Sequence, residues 1–232
     1  MVTQEATPAK AKPTRIRMSY EEFREWADED THAEWVDGEA IVFMPAKDVH
    51  QNTLEFLYEL LALFARLFNL GKVRVAPFEM KLRQGRSYRE PDILFLSEES
   101  RERLTEDRLE GPADLVIEII SGDSVRRDRE DKFKEYQEAG IQEYWVIDPR
   151  SGKQRADFFR LNTHGQYELI ATEDDERVES AVLPGFWLRP SWLWQAGELD
   201  PLLALGEMAG LPDNAVQQFR QQIKAGLQKS DK

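Results

Sequence analysis

Residues 91–96 read PDILFL and residues 114–120 read DLVIEII, two short apolar runs rich in β-branched residues. Unbroken apolar runs of this length mark strands covered on both faces. A helix over about 125 to 139, ending at Gly140, follows the second run, and EYWVID at 143–148 is a further buried strand stopped by Pro149. Upstream, Leu54, Leu57, Tyr58, Leu61, Phe64, Ala65 and Phe68 follow the i, i+3, i+4 rhythm of a helix with one buried stripe, capped by Asp48 and stopped near Gly71. KVRVAPFEMKL at 72–82 reads as one strand kinked at Pro77. Farther out, Ser19 and Glu22 form an S-x-x-E capping box before a short helix. EWVDGEAIVFMP at 34–45 is a hairpin turning on Asp37-Gly38 and closed by Pro45. On the other side, QRADFFRL, QYELIA and RVESAVL are spaced like an antiparallel meander. The order of elements indicates one α/β (α+β) domain with a mixed sheet.

Composition sets limits. The chain has 232 residues, of which 41% are hydrophobic, enough for one sizeable core with appendages. It has no cysteine, which excludes disulfides, thiolate metal sites and cysteine nucleophiles. No signal sequence and no stretch long enough to span a membrane is present, so a cytoplasmic protein is expected. A net charge of −13 argues against a protein that coats nucleic acid, though not against an enzyme with a small basic rim. Residues 1–17 carry Lys10, Lys12, Arg15 and Arg17 and read as a flexible basic tail.

Two carboxylates interrupt the apolar runs. Glu118 sits in DLVIEII, where an ionised side chain needs a partner or a metal, unless it points outward at a strand end. Asp92 follows Pro91, where an aspartate also serves as a turn residue. Together, on neighbouring strands, they make a hard-oxygen pair suited to Mg²⁺ or Mn²⁺. Lys132, on the helix after the Glu118 strand, either points back towards the strand ends or forms an i, i+4 salt bridge with Asp128. Glu34 is an exposed hairpin residue or a further carboxylate. His50 is a surface residue of the helix start or a phosphate contact. No phosphate-binding glycine loop, nucleophile elbow or H-E-x-x-H helix occurs.

The ordered blocks EWVDGEAIVFMP, His50 before a long helix, REPDILFL, DLVIEIIS, DREDKFKEYQEAGIQEYWVIDP and LPGFWLRP resemble the Uma-two family. The resemblance spans about residues 19 to 195. It implies a restriction-endonuclease-like fold with a mixed central sheet flanked by helices, and PD-(D/E)XK chemistry. By that resemblance Asp92 and Glu118 are metal ligands, with the carbonyl of Ile119 completing the shell. Position 120, where an E-x-K pattern places lysine, is Ile120, so the matching residue is Lys132; Glu34 matches an acidic residue before the first turn. The family's S-P-S-T loop is replaced here by Ser121, Gly122, Asp123 and Ser124, which brings an extra carboxylate at Asp123.

The reading is a Mg²⁺- or Mn²⁺-dependent endonuclease acting on DNA, with residues 18–196 as the nuclease-like domain and 197–232 as a helical C-terminal extension. Its rival is a catalytically silent module that binds nucleic acid or protein, which the acidic charge favours. A metal-free hydrolase using the carboxylates as acid and base is a more distant alternative. LPGFWLRPSWLW at 183–194 is a candidate contact for a homodimer.

Overall fold

The computed structural model describes residues 14–28, 31–43, 47–122, 124–212 and 214–229. Its first strand, β1 (Thr14–Arg17), lies within the segment expected to be a flexible tail. Residues 14–17 are held because they pair antiparallel with a later strand, Arg15 and Arg17 meet Glu39, and Ile16 packs on apolar neighbours. α1 (Tyr20–Trp26) starts at the expected capping box, with the Glu22 N–H donating to Ser19 Oγ and the Ser19 N–H donating to Glu22. β2 (Ala33–Val36) and β3 (Glu39–Val42) form the expected hairpin. Its two turn residues, Asp37 and Gly38, take φ of 48° and 87°, the paired left-handed geometry that suits the twist of a hairpin. Pro45, expected to close it, lies outside the described residues.

α2 (Asp48–Leu67) is the long helix. Asp48 is its first helical residue rather than its cap, a place taken by Lys47. The buried face is broader than the expected stripe: Phe56 and Leu60 are sealed, while Phe68, just past the helix end, is left exposed. The helix stops before Gly71. Asn69 turns the chain with φ 53°. Gly71 instead opens β4 (Gly71–Val75), where a Cβ would lie 1.9 Å from the carbonyl oxygen of Leu96. The kinked strand expected over 72–82 is in fact two strands in different sheets, β4 and β5 (Glu79–Leu82), separated at Pro77, which has no N–H to give a ladder.

The remaining strands are β6 (Ser87–Arg89), β7 (Ile93–Ser97), β8 (Arg108–Glu110), β9 (Leu115–Ile119), β10 (Glu143–Asp148), β11 (Arg155–Leu161) and β12 (Tyr167–Thr172). They complete two six-stranded sheets, β1-β3-β2-β6-β5-β8 and β12-β11-β10-β9-β7-β4. Both are mixed: β9 runs parallel to β10, and β5 parallel to β8. Between β9 and β10 the chain is helical from about 125 to 139 as expected, widening to a π-helix over Arg127–Lys132, continuing as α3 (Phe133–Ala139) and ending at Gly140 with φ 82°.

The second sheet is covered on both faces, as its apolar runs require. Ile93, Phe95, Ile117 and Trp145 pack against Leu57, Leu61 and Phe64 of α2. The alternate residues Leu94, Val116 and Val146 pack with Tyr136 of α3 and with Met80 and Leu82 of the first sheet. Glu118 belongs to this second set by alternation, so its carboxylate is aimed at the helix that follows it.

β10, β11 and β12 are the antiparallel C-terminal part of the sheet. The third run, RVESAVL, does not extend it. Ser180 Oγ and the Ala181 N–H both donate to the buried Glu143 carboxylate, which pulls the chain off the sheet. Only β13 (Val178–Glu179) is left to pair with β14 (Trp187–Leu188). The segment proposed for a dimer contact is consumed in the core: Leu183, Phe186, Leu188, Trp192 and Leu193 are all buried. α4 (Pro201–Met208) and α5 (Asn214–Lys229) follow. Among the described residues no helix is long and apolar enough to cross a membrane.

Candidate active site

The antiparallel register of β7 on β9 pairs Ile93 with Ile117, which sets Asp92 opposite Glu118 at the strand ends. The Ile119 N–H donates to Asp92 Oδ2 at 2.7 Å, and His50 Nε2, from the first turn of α2, lies 3.3 Å from the same oxygen. His50 is therefore a buried partner of Asp92 rather than a surface residue. Lys132 reaches back from the helical crossover and places Nζ 2.8 Å from Glu118 Oε1. The Tyr136 hydroxyl, one helical turn later, donates to the same oxygen at 2.8 Å.

Glu34 arrives from the first sheet. It is buried, not exposed on its hairpin, and its Oε1 lies 2.9 Å from Lys132 Nζ. Asp128, the alternative partner for Lys132, is farther away at 3.9 Å. Asp92, Glu118, Lys132 and Glu34 thus line one pocket of about 50 Å³ with Ile119 and His50. Asp123, the extra carboxylate of the loop, lies outside the described residues.

Several neighbours escaped sequence reading. Arg89, at the end of β6, donates to Glu34 Oε2 at 2.9 Å and to Glu135 Oε2 at 2.6 Å, tying the pocket to α3 and the first sheet. Glu90 lines the pocket with a buried Oε2 that has no hydrogen-bond partner among the described residues. His32, Phe43, Arg127 and Asp128 complete much of the wall. The signal was present in part: Arg89 and Glu90 immediately precede Pro91-Asp92, and two charges adjoining a buried strand need an account as Glu118 does.

The charges do not balance locally. Burial pushes the Glu118 carboxyl up to about 8; Lys132 opposes that, while Asp128 and Asp92 add to it. Burial likewise pushes Glu90 up to about 8, reinforced by Glu34. Glu34 goes the other way: burial resists its ionisation, but Lys132 and Arg89 hold it at about 2. Lys132 is raised because Glu118, Glu34 and Asp128 outweigh its own burial. One ammonium serves three carboxylates, so the pocket keeps an excess of carboxylate oxygen.

That donor set fits a hard divalent cation, which binds through one or two carboxylates, water and substrate phosphate. Asp92 and Glu118 are the two carboxylates that the β7–β9 register brings to neighbouring strand ends. Among the described residues no group of three or more His, Cys, Asp or Glu side chains is placed to hold a metal ion.

The family model Uma2, described as "Putative restriction endonuclease", matches residues 20–191, which covers β2 through β14 and every pocket residue named above. The chain belongs to the Uma2 family. No curated protein matches this Uma2 chain. It is similar to a solved structure described as a putative nuclease belonging to DUF820 from Anabaena variabilis, at 16% identity and a TM-score of 0.62, over 76% of this chain and 97% of that one. At that identity the likeness shows a shared fold and says nothing of activity. The type IIG restriction endonuclease BpuSI aligns at 12% identity and a TM-score of 0.33, over 72% of this chain and 18% of that one, which is too loose to carry argument.

Proposed function

We propose that this Uma2 protein is a nuclease that hydrolyses phosphodiester bonds in DNA with the help of Mg²⁺ or Mn²⁺. One observation carries the proposal: Asp92 just before β7, Glu118 on β9 and Lys132 on the β9–β10 crossover line a single pocket. Asp92 and Glu118 would hold the cation, with the Ile119 carbonyl beside them. The bound cation supplies a water of lowered pKa and polarises a phosphoryl oxygen.

The protein's own groups do the rest. The Ile119 N–H and His50 fix the Asp92 carboxylate in place. Tyr136 and Lys132 both land on Glu118 Oε1, which sets the orientation of the other oxygen. Lys132 Nζ has three donors; with Glu118 and Glu34 as partners, the third is available to hold the attacking water or a phosphoryl oxygen. Glu34, kept ionised by Lys132 and Arg89, holds that ammonium in position. In the reaction the water oxygen bonds to phosphorus, the bond from phosphorus to one ester oxygen breaks, and that oxygen takes up a proton.

The test is cleavage of plasmid and single-stranded DNA with Mg²⁺ or Mn²⁺ present. Wild type is expected to cleave, and Asp92→Ala and Glu118→Ala are expected to be inactive. Equal nicking by all three would show that the activity lies elsewhere.

A further inference from the structure

The pocket is lined by more acid than base, and its substrate would be an anion. The basic side chains on its wall are Lys132, Arg127 and two histidines. Lys132 gives two of its three N–H groups to Glu118 and Glu34, and His50 is engaged by Asp92. His32 is held in its neutral range, chiefly by burial. Arg127 differs. Its guanidinium makes no hydrogen bond among the described residues, and its Nε is sealed without a partner. The nearest carboxylate oxygen, Asp128 Oδ1, is 3.6 Å from that Nε, beyond hydrogen-bond reach.

Phe43 holds Arg127 in place. The guanidinium carbon lies 4.3 Å from the centre of the Phe43 ring, a cation–π contact that fixes the plane of the group while leaving its N–H edge unused. The ring is itself braced by His32, edge-on at 5.2 Å, and the Phe43 N–H donates to the His32 carbonyl at 3.0 Å. A planar fork seated on an aromatic ring, with Asp128 near it but beyond hydrogen-bond reach, is shaped to take two phosphate oxygens at once.

The geometry points to Arg127, seated on Phe43, as the residue that grips a phosphate of the nucleic-acid backbone at the mouth of the pocket. This rests on the nuclease reading above. Arg127 acts in binding, by bringing a phosphate to the carboxylates.

The experiment is equilibrium binding of a fluorescent DNA oligonucleotide across a salt series, without divalent metal, for wild type, Arg127→Ala, Arg127→Lys and Phe43→Ala. Arg127→Ala is expected to weaken binding about tenfold and to flatten the dependence of log affinity on log salt by about 0.9, the release of one counterion. Arg127→Lys should keep the salt slope but lose part of the affinity, since a point charge replaces the fork. Phe43→Ala should weaken binding with the slope unchanged. Circular dichroism confirms that each variant is folded, and Arg127→Lys carries the test if Arg127→Ala is not. If wild type cleaves and binds DNA, while Arg127→Ala and Arg127→Lys match it in affinity and slope, this inference is overturned and the nuclease reading stands. If wild type shows no salt-dependent binding, both fall.

Discussion

Between α2 and the C-terminal helices lies a groove of about 480 Å³, walled by Phe64, Leu202, Leu205, Val216 and Phe219, whereas the pocket at the ends of β7 and β9 holds about 50 Å³ and is walled mostly by ionisable groups. The larger hollow has no group able to move a proton or hold a cation among these side chains. It is apolar surface left where α4 and α5 lie over the core. The smaller hollow is costly. Buried carboxylates and a buried lysine lose hydration, and well-packed apolar residues in their place are often neutral or stabilising. Under the proposed function, chemistry in this molecule is marked by charge retained against stability, and size is a poor guide to it.

The comparison breaks most sharply at the carboxylates. Replacing Asp92 or Glu118 by Ala should lower DNA cleavage by about 10³-fold or more. Phe219→Ser in the groove should leave cleavage at the wild-type level. Equal losses from pocket and groove variants would remove the distinction.

Lys132 comes next. In Lys132→Ala, Glu118 and Glu34 lose their shared cation inside the protein, and stability should fall by about 3 kcal/mol, read from urea unfolding. A loss of under about 0.5 kcal/mol would mean that water reaches these groups freely.

The pH dependence of stability sharpens the same point. Glu34 titrates at about 2 in the folded protein, below its ordinary value of 4.5, because Lys132 and Arg89 overcome the burial that opposes its charge. A depressed carboxyl contributes stability that is complete above about 4.5 and lost as pH falls towards 2. The gap in melting temperature between wild type and Glu34→Gln should therefore narrow steadily from pH 5 to pH 2.5. Parallel curves across that range would show that the ion pairs with Lys132 and Arg89 carry none of it.

The smallest effect is expected in the groove, where half-exposed Phe219 changed to Ser should shift stability by under about 0.5 kcal/mol. A cooperative loss of the whole fold would show that α5 is integral to the core.

Much of the scaffold was legible because single residues decide it. Ser19 with Glu22 starts α1, Asp37-Gly38 makes the hairpin, and the short apolar runs after Pro91 and Asp114 are strands covered on both sides. Long-range choices were not. Nothing local to Pro77 says that the flanking strands join different sheets. Nothing local to RVESAVL says that Glu143, 37 residues before Ser180, captures that hydroxyl. At the candidate site, a charge inside an apolar run announced Glu118, and a crossover helix suggested Lys132. For Arg89 and Glu90 the only trace was their place just before Pro91-Asp92, and for His50 its place at a helix start, neither of which reveals burial. Arg127 was hidden for the same reason, within the charged run that starts the crossover.

The most direct test of the central claim is calorimetric titration of Mg²⁺ and of Mn²⁺ into wild type and Glu118→Gln at neutral pH. The account predicts saturable heat in wild type at millimolar cation or below, and its loss in Glu118→Gln. Absence of binding to wild type at millimolar metal would contradict it and favour a silent module with the same fold.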